Sequence, residues 1–222
     1  MSDAARPPKA DRAGESLFAA EAAYADSIFR TILGDSEGCM SALRRSLSYA
    51  PTYAPAILAL GTAEYQLRRF SRGRRLLFSL LGLPRDIEDI TEIIDKAGNF
   101  LIQSSRYSEG LALYRQAAAR YPRVGVFQQG IGCCAGHESL RKEAISASRA
   151  ALALEPKNQR FVNDLGWTLY EAGRFQEAFT VLKRAVAMDT KDALAAENLR
   201  ICVKHLRTRP ARSRARTTKG LM

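Results

Sequence analysis

Few residues in this 222-residue sequence stand where they could do covalent or metal chemistry. Cys133 and His137 are four apart, which puts them on one face of a helix, and Cys134 lies between them. Such a pair is the start of a metal site, with Glu171, 34 residues beyond His137, as the nearest helper. Zinc takes three or four ligands, however, and no second Cys/His cluster follows at a usable spacing. Small cysteines packed between helices, and no bound metal, are the expectation. Gly130-Ile131-Gly132 has no strand before it and no phosphate-loop setting. Without a nucleophile–base pair or paired carboxylates, the sequence predicts no catalytic residue, no cofactor and no enzymatic activity.

Charge is the second chemical feature. Lys and Arg outnumber Asp and Glu by 34 to 23, a net +11. Residues 203–222 hold seven of those basic groups and no acid, so the rest of the chain carries only +4. A high isoelectric point that belongs mainly to a tail is a weak argument for nucleic acid. A second cluster, Arg68, Arg69, Arg72, Arg74 and Arg75, falls in a stretch without acids between Glu64 and Asp86. It is a candidate anion-binding site. Phe70 is the sole aromatic residue inside it, so base stacking is not supported.

The elements that must carry these residues are set by a repeat. Gly61, Gly98, Gly132 and Gly166 are separated by 37, 34 and 34 residues. Cys39, Gly73, Gly110, Ala144 and Ala178 follow at 34, 37, 34 and 34, and Pro122 and Pro156 are again 34 apart. Three series agreeing on one period predict a solenoid of small units. Within the last unit Phe161, Val162, Leu165 and Leu169 share one helical face. Ala172-Gly173 breaks the pattern, and Phe175, Ala178, Phe179, Leu182, Ala185 and Val186 form a second face. Antiparallel helices approach closely where side chains are minimal, so Gly166 and Ala178 are expected to face each other. No β-alternation of useful length occurs, and the fold class is all-α.

These residues resemble the tetratricopeptide repeat family. Gln159 to Asp192 matches its signature through Leu165-Gly166, Leu169, Gly173-Arg174-Phe175, Glu177-Ala178, Leu182 and Ala185. Gly125 to Asn158 matches through Gly132, Glu143-Ala144, Ala151 and Pro156, and Thr91 to Val124 through Gly98, Tyr107, Glu109, Tyr114, Ala117 and Pro122. Ala54 to Ile87 and Ala20 to Tyr53 match more loosely. The first-helix tryptophan of the signature is missing from its usual position in every unit, and Thr190 stands where the final proline is expected. The resemblance implies a right-handed superhelical solenoid of about five helix pairs over 16–207, with 193–207 as a C-terminal capping helix. Residues 1–15 and 208–222 are then disordered flanks.

In that family the first helix of each unit lines a concave groove that binds partner proteins. Taking the fifth, ninth and twelfth positions of each unit carries the groove onto Tyr24, Ile28, Leu58, Thr62 and Tyr65, then Asp95, Asn99 and Ile102. It continues through Gln129, Cys133, Asn163, Trp167 and Tyr170. The fifth positions (Tyr24, Leu58, Asp95, Gln129, Asn163) hold no lysine, so the carboxylate clamp of chaperone-binding members is absent. An apolar and aromatic groove resembles secretion-chaperone or assembly-scaffold members instead. The expectation is a chaperone-like adaptor or scaffold that binds a peptide or helix of a protein partner, anchored on Trp167 and Tyr170. Polyanion or nucleic-acid binding through the arginine cluster and the tail is the alternative. With no membrane-spanning run and no secretory leader, a cytoplasmic location is expected.

Overall fold

A computed structural model describes residues 9–208. Eleven α-helices and no strand occur among the described residues. The chain divides into two units, 1–104 and 105–222. The first contains α1 (Lys9–Ile32), α2 (Ser36–Tyr49), α3 (Ala54–Gln66), α4 (Phe70–Ser79) and α5 (Ile90–Gln103), with a short 3-10 turn at Leu80–Gly82. The second contains α6 (Tyr107–Arg120), α7 (Gly125–His137), α8 (Arg141–Leu154), α9 (Gln159–Glu171), α10 (Phe175–Met188) and α11 (Ala193–Thr208). Helix α1 begins at Lys9, so residues 9–15 are helical where disorder was expected. Residues 1–8 and most of the basic tail, 209–222, lie outside the described residues.

Several helices start on an identifiable signal. Asp35 accepts a hydrogen bond from the Gly38 amide at 2.8 Å, and Asn158 accepts from the amides of Arg160 and Phe161. Asp192 does the same for Leu194 and Ala195 at the head of α11. These caps satisfy amides that have no partner inside the helix. Pro55 sits in the first turn of α3, where its missing N–H costs nothing.

The helix ends inside each helical hairpin share one device. Gly34, Arg68, Ser105, Ser139 and Gly173 all have positive φ, between 56° and 81°, and their spacings are 34, 37, 34 and 34. At Ser139 the amide reaches the Gly136 carbonyl and the next amide, of Leu140, reaches the Ala135 carbonyl. This is the paired closure of a Schellman turn. A side chain in this backbone region costs roughly 1–2 kcal/mol. Ser139→Gly is therefore expected to stabilise the second unit by about 1 kcal/mol, seen as a higher thermal midpoint; an unchanged or lower midpoint would refute this account of the turn.

Packing depends on missing side chains. A Cβ on Gly61 would lie 2.6 Å from Leu77, and one on Gly73 would lie 2.8 Å from the Gly61 carbonyl. On Gly166 the first obstacle is Leu182 at 2.6 Å, so Gly166 packs beneath Leu182. Ala178, fully buried, joins Leu165, Leu169, Leu182 and Cys202 in one core cluster of the second unit. In the first unit Met40, Leu43, Ala56 and Leu60 form the corresponding cluster. Helix α11 closes the second unit: its Cys202 enters that cluster, and Asn198 donates to Asn163 at 3.1 Å in a buried bond.

Candidate functional site

Helices α7, α8 and α9 enclose a cavity of about 180 Å³. Gln129, Cys133 and His137 line it from α7, and Asp164, Trp167, Thr168 and Glu171 from α9. The four α9 residues are spaced 3, 1 and 3 apart, which is one helical face. Gly132 forms the floor with Ser148 of α8, and a Cβ on that glycine would come within 2.6 Å of the serine hydroxyl. Glycine is needed here because it lets the hydroxyl reach the cavity.

The polar groups are linked in order. Gln129 Nε2 donates to Asp164 Oδ2 at 3.1 Å. Thr168 Oγ1 donates to the Asp164 carbonyl at 2.8 Å and lies 3.1 Å from Ser148 Oγ, so Ser148 is the donor in that second contact. Burial raises the Asp164 carboxyl above its ordinary value, against the Gln129 hydrogen bond and the Arg160 charge, which lower it. Burial also raises the Cys133 thiol, helped by the negative charges of Asp164 and Glu171, and pushes Cys134 up to about 12. Both sulfurs are thiols at neutral pH, the form that neither attacks nor ligates metal. The ring of His137 is stacked on Tyr107 at 3.9 Å, and among the described residues no group of three or more His, Cys, Asp or Glu is placed to hold a metal ion.

An aromatic run leaves one edge of the cavity. Trp167 stacks on Tyr170 with centroids 5.1 Å apart, and Tyr170 meets Phe175 and His205 edge-on. Trp167 is half-buried, so one part of the indole is fixed and the rest is open to a ligand.

Of the residues expected in the groove, Gln129, Cys133 and Trp167 line this cavity and Tyr170 supports it from behind. Two expectations are corrected. Asn163 is only 3% exposed, because it is bonded to Asn198 of α11. Tyr65 is 4% exposed, wedged between Phe70 and Phe100, so neither can meet a partner. In the first unit Tyr24 packs edge-on against Tyr53, and Thr62 donates to the Ala59 carbonyl. Asn99 donates to Asp95, while Leu58 and Ile102 are half-buried. Asp164, Thr168 and Ser148 were not anticipated. The signal for Asp164 is a spacing of 35: Gln129–Asp164 and Asn163–Asn198 are both polar pairs at that separation, one more than the repeat.

The arginine cluster occupies the turn between α3 and α4. Arg68, Arg69, Arg72, Arg74 and Arg75 are all exposed, and an open cleft is lined by Arg68, Arg69, Phe70, Ser71 and Arg72. Part of the charge is already engaged. Arg69 and Arg44 each lie 3.6 Å from the buried Glu64 carboxylate, and Arg74 lies over the Phe78 ring at 5.0 Å.

Residues 141–200 match the tetratricopeptide repeat family model. Solved structures extend the likeness to most of the chain. The thermophilic TPR protein TTC0263 from Thermus thermophilus is 16% identical, with 84% of this chain and all of that one covered and a TM-score of 0.53. YrrB, a TPR protein, is 15% identical over 79% of this chain and 89% of its own, at 0.55. MamA from Desulfovibrio magneticus RS-1 is 15% identical over 78% and 97%, at 0.57. No curated protein sequence matches. Residues 141–200 are tetratricopeptide repeat sequence by the family match, and the chain as a whole has the helical-repeat fold of the solved tetratricopeptide repeat proteins. No helix among the described residues is long and apolar enough to cross a membrane.

Proposed function

We propose that this protein is an interaction scaffold whose second unit takes a basic side chain of a partner peptide into the cavity between α7 and α9. One observation carries the reading: two carboxylates, Asp164 and Glu171, line the cavity together with Trp167, and no Lys or Arg lines it. A cation there gains both charge pairing and the attraction of an indole face. YrrB, described as having an unusual peptide-binding site, supports a peptide as the ligand of such a fold. Tyr170 holds the indole in place, and Gln129 holds the Asp164 carboxylate.

Asp164→Asn separates this role from a structural one. The raised carboxyl means that the folded chain binds a proton more readily than the unfolded chain, whose value is near 3.8. Stability therefore falls as pH rises from that value through the folded one, and the loss persists above it. Asparagine keeps an acceptor for Gln129 and removes the penalty. The variant is expected to melt higher than the parent at pH 7, with the gain shrinking toward pH 4, while binding basic peptides more weakly. Peptides selected from a display library on the full chain should be enriched in Lys or Arg and lose affinity for this variant. Selected peptides without basic residues, or indifferent to Asp164→Asn, would refute the site. A polyanion binder would instead lose on the order of a thousandfold in affinity between about 50 and 200 mM salt and would depend on the arginine turn.

A further inference from the structure

Helix α1 is apolar on two opposite sides. Ala20, Ala23 and Ser27 are buried within the first unit. On the other side Phe18 is 74% exposed, Phe29 60%, Ile32 77% and Leu33 65%, with Ala22 and Ala25 between them. Spacings of 4, 3, 4 and 3 from Phe18 through Ala22, Ala25 and Phe29 to Ile32 make this one continuous stripe. Glu15 and Glu21 border it on the N-terminal half. Helix α11, by contrast, exposes the polar Glu197, Arg200, Lys204 and Arg207.

We propose that a second copy of this chain covers the stripe, its α1 running antiparallel about a two-fold axis near Ala25. Three observations favour a copy over an unrelated partner. The stripe is large at both ends and small in the middle. About an axis at Ala25, Phe18 meets Ile32 of the other copy, Ala22 meets Phe29, and the two Ala25 methyls meet each other. Large side chains then fall against large or small ones in a pattern that closes on itself, as an isologous contact requires. The flank is also neutral. Asp26, Arg30, Asp35 and Arg45 are tied into one ion-paired cluster with contacts of 2.6 to 3.1 Å, two charges of each sign, so two identical faces do not repel there. Finally, the area is adequate. Phe18, Phe29, Ile32 and Leu33 expose roughly 400–550 Å², taking roughly 150–200 Å² for each fully exposed large side chain. Two such faces bury about 1,000 Å², the lower bound for a specific interface.

Sedimentation of the full chain from about 1 to 100 µM, the weak end for an interface of this size, tests the pairing. The parent is expected to sediment as a dimer. Phe29→Glu and Phe18→Glu are expected to sediment as monomers, a shift of at least tenfold in dissociation constant. Both side chains lie outside the core, so circular dichroism should be unchanged. On mild oxidation Ala25→Cys should form a disulfide-linked dimer, which neither the parent nor Ser41→Cys on exposed α2 forms. A parent that is monomeric at 100 µM overturns the proposal and leaves the face to a different protein. A dimer that survives both glutamate variants, or an Ala25→Cys chain that does not cross-link, overturns it as well.

Discussion

Trp167→Ala is expected to weaken binding of a peptide selected on this chain by about 2 kcal/mol or more, roughly thirtyfold. The indole is half-buried, stacked on Tyr170 at 5.1 Å, and lines a cavity together with two carboxylates. A ring held in this way presents contact area at little cost in conformational entropy. Truncation also removes the ring that the proposed site offers to a cation and widens the cavity to water. Trp167→Phe keeps a ring and part of the stack, so it should recover a measurable share of the affinity. Titration calorimetry with one selected peptide and the three chains measures the series, with circular dichroism to show equal helicity. Equal affinities for the parent and the alanine variant would place the site elsewhere. Removing residues 209–222 should have a smaller effect, confined to low salt, because exposed charge is screened.

The largest expected change in stability comes from adding one methyl group. Gly130 lies under the ring of Tyr114, a fully buried residue, and a Cβ there would be 2.5 to 2.6 Å from three ring atoms. Helix propensity alone would favour Gly130→Ala by about 1 kcal/mol. Overpacking wins, because Tyr114 has no room to retreat; the net effect is a loss of roughly 1–3 kcal/mol. Gly136→Ala is the control. Its nearest neighbour is the Glu171 carboxylate at 3.6 Å, an ordinary contact, so the same change should be neutral or mildly stabilising. Chemical denaturation of the two variants reads the difference, and similar midpoints would mean that the α6–α7 contact is looser than described.

The repeat was legible because it is a packing constraint and packing acts on residue size. Helices α3, α7 and α9 begin at Ala54, Gly125 and Gln159, the positions where the period places unit starts, and α5 begins one residue before Thr91. Facing was harder to read. Neighbouring residues on a helix point about 100° apart, so an error of one position exchanges Asp164 for Asn163, and only the first of these lines the cavity. Tyr65 was misread for a related reason: a tyrosine on the first helix of a unit is as useful for wedging Phe70 and Phe100 apart as for holding a ligand. The left-handed turn residues could be anticipated at Gly34 and Gly173, where glycine marks them. At Arg68, Ser105 and Ser139 the backbone is held by its neighbours, and the residue type carries no trace of it.

Neighbour-only packing in the second unit has a mechanical consequence. There α11 rests on α9 and α10, and each earlier helix packs chiefly on the next one or two along the chain. Tension applied at Thr208 with Ser105 held would therefore be resisted first by α11 alone, through the buried Cys202 and Ala195, the stack of His205 on Phe175 and the Asn163–Asn198 bond. Once α11 peels away, the pair α9 and α10 becomes the new end and meets the same test. The unit would lengthen as a staircase, each 34-residue pair releasing roughly 110–120 Å of chain. Its first step would be the smallest, because it releases the single helix α11 where every later step releases a pair.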